Sequence, residues 1–169
     1  INEAEAGEVD GVIEGGIEPM LAHSFSKQGH KIKYPCAIQP KLDGIRCIAI
    51  VKGGSATLWT RTRKPITGVP HIEEALIRLI DSDDTYVLDG ELYNHKFRDN
   101  FEQIVSYVRQ EEPAEGFDVV QFHVYDVVSE LPYSKRLAFL KSLPEDSDGT
   151  IQIVDTHIIN EEAIVEFYT

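Results

Sequence analysis

The sequence predicts an α+β domain whose strands are joined largely by tight turns, and three observations lead there. Apolar runs with strand character recur at 35–42, 45–52, 56–62, 85–94, 118–129 and 150–159. Three windows between them, 69–82, 98–110 and 133–143, space their apolar residues as amphipathic helices do. A length of 169 residues suffices for one domain with a real core and falls short of two.

Residues 1–16, "INEAEAGEVDGVIEGG", are acidic and glycine-bearing without a sustained apolar period, so they are expected to form a tail. The folded domain is then 17–169. "IEPMLA" opens it as a short apolar segment before a polar, basic loop. "PCAIQPKL" and "IRCIAIVK" read as strands on either side of Asp43-Gly44, a dipeptide common in hairpin turns. "ATLWTRT" follows as a third strand after the Gly53-Gly54 turn.

"VPHIEEALIRLIDS" has apolar residues at 72, 76, 79 and 80 and reads as a helix; "TYVLDGELYN" returns to strand. "RDNFEQIVSYVRQ" is helical, with Phe101, Ile104, Val105 and Val108 on one face and Asp99 or Asn100 as cap. "DVVQFHVYDVVS" is long enough to cross a sheet centre, "YSKRLAFLKSL" is a helix and "TIQIVDTHII" a further strand. In "NEEAIVEFYT", Asn160 caps a helix whose apolar stripe has only begun at Thr169. The chain is therefore expected to be the front part of a larger domain.

Composition narrows the function classes. No apolar run approaches the ~18 residues of a membrane span, and no basic-then-apolar leader opens the chain. An intracellular, soluble protein is expected. Cys36 and Cys47 are too few for a disulfide framework or a four-cysteine zinc site, and both read as reduced strand residues. The net charge of −13 argues at first against a polyanionic partner. Residues 27–64, however, hold nine basic residues and one acid, a local balance of +8 that leaves −21 elsewhere. One cationic face on an acidic body can still bind nucleic acid.

Leu-Asp-Gly occurs twice, in "KLDGIR" and in "LDGEL". A lysine amine attacks only when neutral, so a nucleophilic Lys41 needs desolvation or cationic neighbours. A lysine ending a buried strand beside a tight turn, near Arg46, would meet that need. Asp43 could orient the amine, Gly44 would let the backbone approach a ligand closely, and the planar fork of Arg46 suits phosphate oxygens. Glu91 could accept from a ribose hydroxyl or hold Mg²⁺. "TRTRKPI" adds Arg61, and "FHVYDVV" adds Tyr125, a ring suited to stacking on a base. Each has a plainer reading: a hairpin with exposed charges, a solvent-facing strand acid, a ring packed in a core. Together they are the inventory needed to move a nucleotide from its triphosphate onto a lysine.

In the order "PMLA", "KLDGIR", "TRTRKPI", "LDGEL", "VYDVV", the chain resembles ATP-dependent DNA ligases of the covalent nucleotidyltransferase superfamily, above all the small viral or phage forms. The resemblance runs from about Pro19 to Thr169. It implies an antiparallel-sheet nucleotidyltransferase (ATP-grasp-like) adenylation domain. It implies that Lys41 is the catalytic nucleophile, taking AMP from ATP as a phosphoramidate, with Mg²⁺ as metal. It places Gln39, Lys41, Arg46, Arg61, Glu91 and Tyr125 on ATP or AMP, with Asp43, Arg46 and Arg61 at phosphate and nick ends. Glu91 would meet the ribose or the metal, and Tyr125 would stack on adenine. The implied partner is nicked double-stranded DNA, sealed by a monomer in the cytoplasm of a bacterium or infected host during repair, replication or recombination.

Gln39 stands where many larger ligases have glutamate, and Tyr125 where phenylalanine is commoner. The family's later Glu-Gly motif, its lysine-rich strand and its OB-fold domain do not occur in the 169 residues, so the domain is expected to be incomplete at its C-terminus and weak or inactive alone. Two other readings stay open: a GTP-dependent mRNA capping guanylyltransferase, which shares the lysine motif and a similar "LDGEL", and a nucleotide-binding module that forms no covalent adduct.

Overall fold

The computed structural model describes residues 23–161. The acidic tail, the "IEPMLA" segment and the helix expected after Asn160 lie outside the described residues, Glu161 apart. In chain order the elements are α1 (Phe25–Gln28), β1 (Cys36–Ile38), β2 (Ile45–Lys52), β3 (Ser55–Trp59), β4 (Pro65–Ile66), α2 (Pro70–Leu79), β5 (Thr85–Tyr93), α3 (Phe101–Val108), β6 (Gln121–Val127), α4 (Tyr133–Ser142), β7 (Ile151–Ile153) and β8 (His157–Ile159). The α+β expectation holds. Six strands form one sheet in the order β4-β3-β2-β5-β6-β7, antiparallel except where β7 joins β6 in parallel; β1 and β8 form a separate antiparallel pair.

Two local expectations change. The strand at 35–42 and β2 do not make a hairpin: β1 stops at Ile38 and pairs Cys36 with Ile159 on β8. The reason is that β2 already has β3 on one side and β5 on the other, so the 39–44 segment becomes a loop between the two sheets. The second Leu-Asp-Gly lies within β5, as the strand reading of 85–94 expects. The run at 150–159 divides into β7 and β8 on different sheets, since Val154 N–H still donates to Val124 on the main sheet before the chain leaves it. The Gly53-Gly54 turn is as expected, with both glycines at positive φ, +51° and +78°.

Alternation divides the main sheet into two faces of different chemistry. On one face Cys47, Ala49 and Val51 of β2, Leu88 and Leu92 of β5, and Phe122 and Val124 of β6 join Ile72, Ala75 and Leu76 of α2, Ile104 and Val108 of α3, and Leu140 of α4 in one buried core. Pro70 starts α2 at the position where its missing N–H costs nothing. Asn100 caps α3 by position, and Ile104, Val105 and Val108 are buried, but Phe101 is 37% exposed. On the other face Ile48, Ile50 and Val87 make a small cluster with Trp59, and beyond it the same face is charged. Burying one face against three helices holds the strands in a fixed register, so polar side chains on the other face are fixed relative to one another.

The β5–β6 pairing slips at Asp89/Gly90: Asp89 faces Asp126, yet Gly90 faces Val124, so Tyr125 is the extra residue of a bulge. Gly90 is required there. A Cβ would lie 2.3 Å from the His123 carbonyl oxygen and 2.6 Å from Cε1 of the fully buried Phe122. Replacing Gly90→Ala is expected to lower unfolding stability by about 1–3 kcal/mol, the usual scale of overpacking, in urea denaturation; an unchanged midpoint would contradict this packing.

His71, in the first turn of α2, donates from Nε2 to the Val120 carbonyl at 2.6 Å and lies edge-on to Phe117 with ring centroids 5.2 Å apart. Its Nδ1 is buried without a partner among the described residues. Burial lowers its pKa from the ordinary 6.5, opposed by the Val120 carbonyl and by the charges of Asp118 and Glu74. The unfolded imidazole therefore takes a proton before the folded one does, and stability is lost as pH falls from 6.5. Burial likewise lowers His123, to about 4. In His71→Gln the drop in thermal midpoint between neutral and mildly acid pH should shrink; an equally steep drop would show that His71 plays no part in it.

Candidate active site

The charged face is assembled by register. Arg46 on β2 sits opposite Glu91 on β5, Ile48 opposite Asp89, and Glu91 opposite His123 on β6, so these side chains share one side of the sheet. Arg46 reaches diagonally to Asp89 and donates from Nε to Oδ1 at 2.6 Å and from Nη2 to Oδ2 at 2.5 Å. This is the two-pronged geometry that suits a planar guanidinium and a carboxylate. The two side chains are only 17% and 13% exposed. Alternation along β6 puts the Tyr125 ring on the same side as His123, and the bulge adds Asp126 to that side: Arg46 Cζ lies 5.1 Å from the ring centroid, and the phenol donates to Glu91 Oε2 at 3.3 Å.

Electrostatics follow from this half-buried crowding. Burial raises the pKa of Glu91, which Arg46, the Tyr125 hydrogen bond and Lys41 oppose and the charge of Asp89 reinforces. Asp89 is raised by burial too, with Arg46 pulling the other way. Burial pulls Arg46 down, but its contact with Asp89 more than offsets this and holds it up. Burial, with Asp89 and Glu91 close by, pushes the Tyr125 phenol well above its ordinary range. Tyr125 therefore serves as a neutral hydrogen-bond donor.

The 39–44 loop passes over the end of this face. Gly44 lies so close to β5 that a Cβ would stand 2.3 Å from the Leu92 carbonyl oxygen and 2.7 Å from Cγ of Glu91. The loop bearing Lys41 is thus pressed against the strand bearing Glu91. Lys41 Nζ donates to Asp43 Oδ1 at 3.0 Å, and both side chains are largely exposed, 79% and 87%. The expected burial of Lys41 at a strand end is not found, because β1 ends three residues earlier and Lys41 lies on the loop. Its amine is instead exposed, near enough to Glu91 for its charge to be felt there.

Gln39 extends the site toward α4. Its side-chain nitrogen donates to the Tyr125 carbonyl at 3.2 Å, to the Tyr133 hydroxyl at 3.2 Å and to Thr156 Oγ1 at 2.8 Å. Nearby, Arg136 of α4 forks onto Asp126, from Nε at 2.8 Å and Nη2 at 3.2 Å. Arg61 is the exception among the residues singled out from the sequence. It stands on an exposed turn closed by Thr60 N–H to the Lys64 carbonyl at 2.8 Å, with Arg63 at φ +67°, and does not touch the cluster. Because Trp59 pairs with Ile48, that turn leaves the sheet at the same end as Arg46.

The structure therefore brings together Gln39, Arg46, Glu91 and Tyr125 and holds Lys41 and Asp43 on the adjoining loop. Three partners escape sequence reasoning: Asp89, Tyr133 and Thr156. Asp89 could have been suspected from the repeated Leu-Asp-Gly, but nothing in one sequence shows that β2 and β5 are neighbours. Among the described residues no group of three or more His, Cys, Asp or Glu side chains is placed to hold a metal. A hollow of about 370 Å³ lies between the end of α4 and β7 with Thr156 in its lining, and one of about 380 Å³ lies beside α3 and the 60–67 segment. No helix among the described residues is long and apolar enough to cross a membrane.

Comparison with known proteins gives a consistent answer. The family model described as the ATP dependent DNA ligase domain matches residues 19–169. A "Probable DNA ligase" of Streptomyces coelicolor is 38% identical over 76 residues, which cover 43% of this chain and 14% of that protein. Among solved structures, "Pmar-Lig_Pre." superposes with a TM-score of 0.74 at 19% identity, covering 99% of this chain and 42% of the other. A Lig E DNA ligase studied for DNA binding with a minimal scaffold gives 0.65 at 23% identity, with 90% and 56% covered. These structural likenesses show a shared fold, and the chain spans about half or less of the length of each relative. With the family model matched over nearly the whole chain, the protein belongs to the ATP-dependent DNA ligase domain family.

Proposed function

We propose that this chain is the nucleotide-loading part of a DNA ligase. Lys41 Nζ attacks the α-phosphorus of ATP, a P–N bond forms, the bond to the β-phosphate oxygen breaks and pyrophosphate leaves, while the amine gives its proton to solvent. The AMP so held passes to the 5′-phosphate of nicked DNA, and the 3′-hydroxyl then displaces it to seal the strand. The observation that supports this most is the conjunction on one sheet face of an arginine fork, a carboxylate and an aromatic ring beneath a loop that carries an exposed lysine.

Each residue has a role in this reading. Tyr125 stacks on the adenine, with Arg46 on its other contacts keeping the ring in place. Glu91 accepts from a ribose hydroxyl; one of its oxygens already takes the Tyr125 phenol, which fixes the direction of the other. Arg46, held by Asp89, sets the positive charge of the site beside the nucleotide, and Arg61 and Asp43 act at the phosphate and nick ends. Asp43 also restrains the Lys41 amine until a phosphate competes for it. The basic stretch 27–64 supplies charge for the DNA backbone.

A magnesium ion fits this donor set only in company with substrate. Glu91 is one carboxylate, no cluster of three acidic or imidazole groups surrounds it among the described residues, and Mg²⁺ commonly uses one or two carboxylates with substrate phosphates. Bound in that way it would neutralise charge on the phosphates. The chain's own residues position the reacting atoms.

Intact mass after incubation with ATP and Mg²⁺ tests the proposal. The protein should gain the mass of one adenylate, lose it on addition of pyrophosphate, and show only background in Lys41→Ala. Labelling of Lys41→Ala equal to the parent would overturn the assignment of the nucleophile, and ATP binding with no adduct in the parent would favour a non-catalytic module.

A further inference from the structure

The bulge in β6 sends two consecutive side chains, Tyr125 and Asp126, to one side of the sheet and sets Asp126 directly opposite Asp89 on β5. Like charges so placed on neighbouring strands destabilise the pair. The charge of Asp126 does add to the burial that raises the pKa of Asp89.

Each of these carboxylates has a guanidinium of its own. Asp89 takes the fork of Arg46 from β2, and Asp126 takes that of Arg136 from α4, at 2.8 Å and 3.2 Å. Arg136 is held in turn by a bond from Nη1 to the Leu131 carbonyl at 2.7 Å, and its Cζ lies 5.3 Å from the centroid of the Tyr133 ring. Asp126 Oδ1 also accepts from the Val127 N–H at 2.8 Å, so the carboxylate that Arg136 grips is tied to the backbone beside the bulge.

We infer that Arg136 is a positioning residue of the site: by neutralising Asp126 it leaves Arg46 committed to Asp89, and so keeps the Arg46 guanidinium against the Tyr125 ring and beside Glu91. What this does for a nucleotide rests on the proposed function. Without Arg136, two facing carboxylates would be left to one guanidinium on this face. Whatever share Asp126 took would draw Arg46 from Asp89 and from the ring centroid that its Cζ now approaches to 5.1 Å. The side chains of Arg136 and Asp126 are only 22% and 23% exposed, so an unpaired Asp126 would be poorly screened by water. A purely mechanical clamp of α4 onto β6 would behave otherwise, since removing the Asp126 charge could not repair the loss of its fork.

The test uses the whole chain with Arg136→Gln, Arg136→Lys and the double variant Arg136→Gln with Asp126→Asn, read by equilibrium binding of ATP and by urea unfolding. Arg136→Gln should bind ATP about tenfold more weakly than the parent, the scale of one hydrogen bond to a charged group. Adding Asp126→Asn should restore most of that loss, and Arg136→Lys, which keeps the charge and gives up the fork, should stay near the parent. A folded Arg136→Gln protein with the parent's affinity would overturn the inference, as would a folded double variant no better than Arg136→Gln, or Arg136→Lys as weak as Arg136→Gln. The coupling between Arg46 and Asp89, from unfolding cycles with Arg46→Gln and Asp89→Asn, needs no nucleotide: it should fall in the Arg136→Gln background and return with Asp126→Asn. An unchanged coupling would overturn the inference. That fall and return in a protein that binds no ATP would uphold the inference for Arg46 and sink only the proposed nucleotide site.

Discussion

The fork between Arg46 and Asp89 is the constraint on which the rest of the candidate site depends. A guanidinium and a carboxylate, each mostly removed from solvent, cannot be separated cheaply, since either one alone would be left uncompensated in a poor dielectric. Their bidentate contact joins two central strands across a non-adjacent pair of positions, because Arg46 faces Glu91 in the register yet bonds to Asp89. That diagonal sets where the guanidinium lies beneath Tyr125 and beside Glu91. Burial of the opposite face against α2, α3 and α4 keeps the strands from sliding, so the diagonal is supported from below.

Upon this frame the bulge and the loop add the parts that regular strands cannot supply. A strict alternation would give β6 only the ring of Tyr125 toward the site, where the bulge adds Asp126, taken up by Arg136. The loop at 39–44 exists because β1 belongs to a different sheet, and the absence of a side chain at Gly44 lets it lie against Glu91. Lysine and carboxylate, fifty positions apart in sequence, are thereby held at the same end of the sheet. The Lys41 amine itself is exposed and, among the described residues, pairs with Asp43.

Much of this was legible in the sequence, and the remainder failed for identifiable reasons. Periodicity found α2, α3, α4 and the long strands, because each buries one face in a shared core. It could not separate β7 from β8, since an apolar run has the same pattern whether one sheet or two receive it. Asp43-Gly44 read as a hairpin turn and lies instead in a loop between two sheets, a difference made by which strands pair. Gln39, Lys41, Arg46, Glu91 and Tyr125 were recognisable from motif and chemistry. Asp89, Tyr133 and Thr156 were not, because their importance lies in contacts between distant segments that no local pattern encodes.

The central claim is that the Arg46–Asp89 pair is an energetic link and not a chance surface contact. A double-mutant cycle on unfolding free energy, with Arg46→Gln and Asp89→Asn singly and together, measures it directly. A coupling of about 1–3 kcal/mol is predicted, as for partners in one shielded network; single effects that simply add would contradict the account.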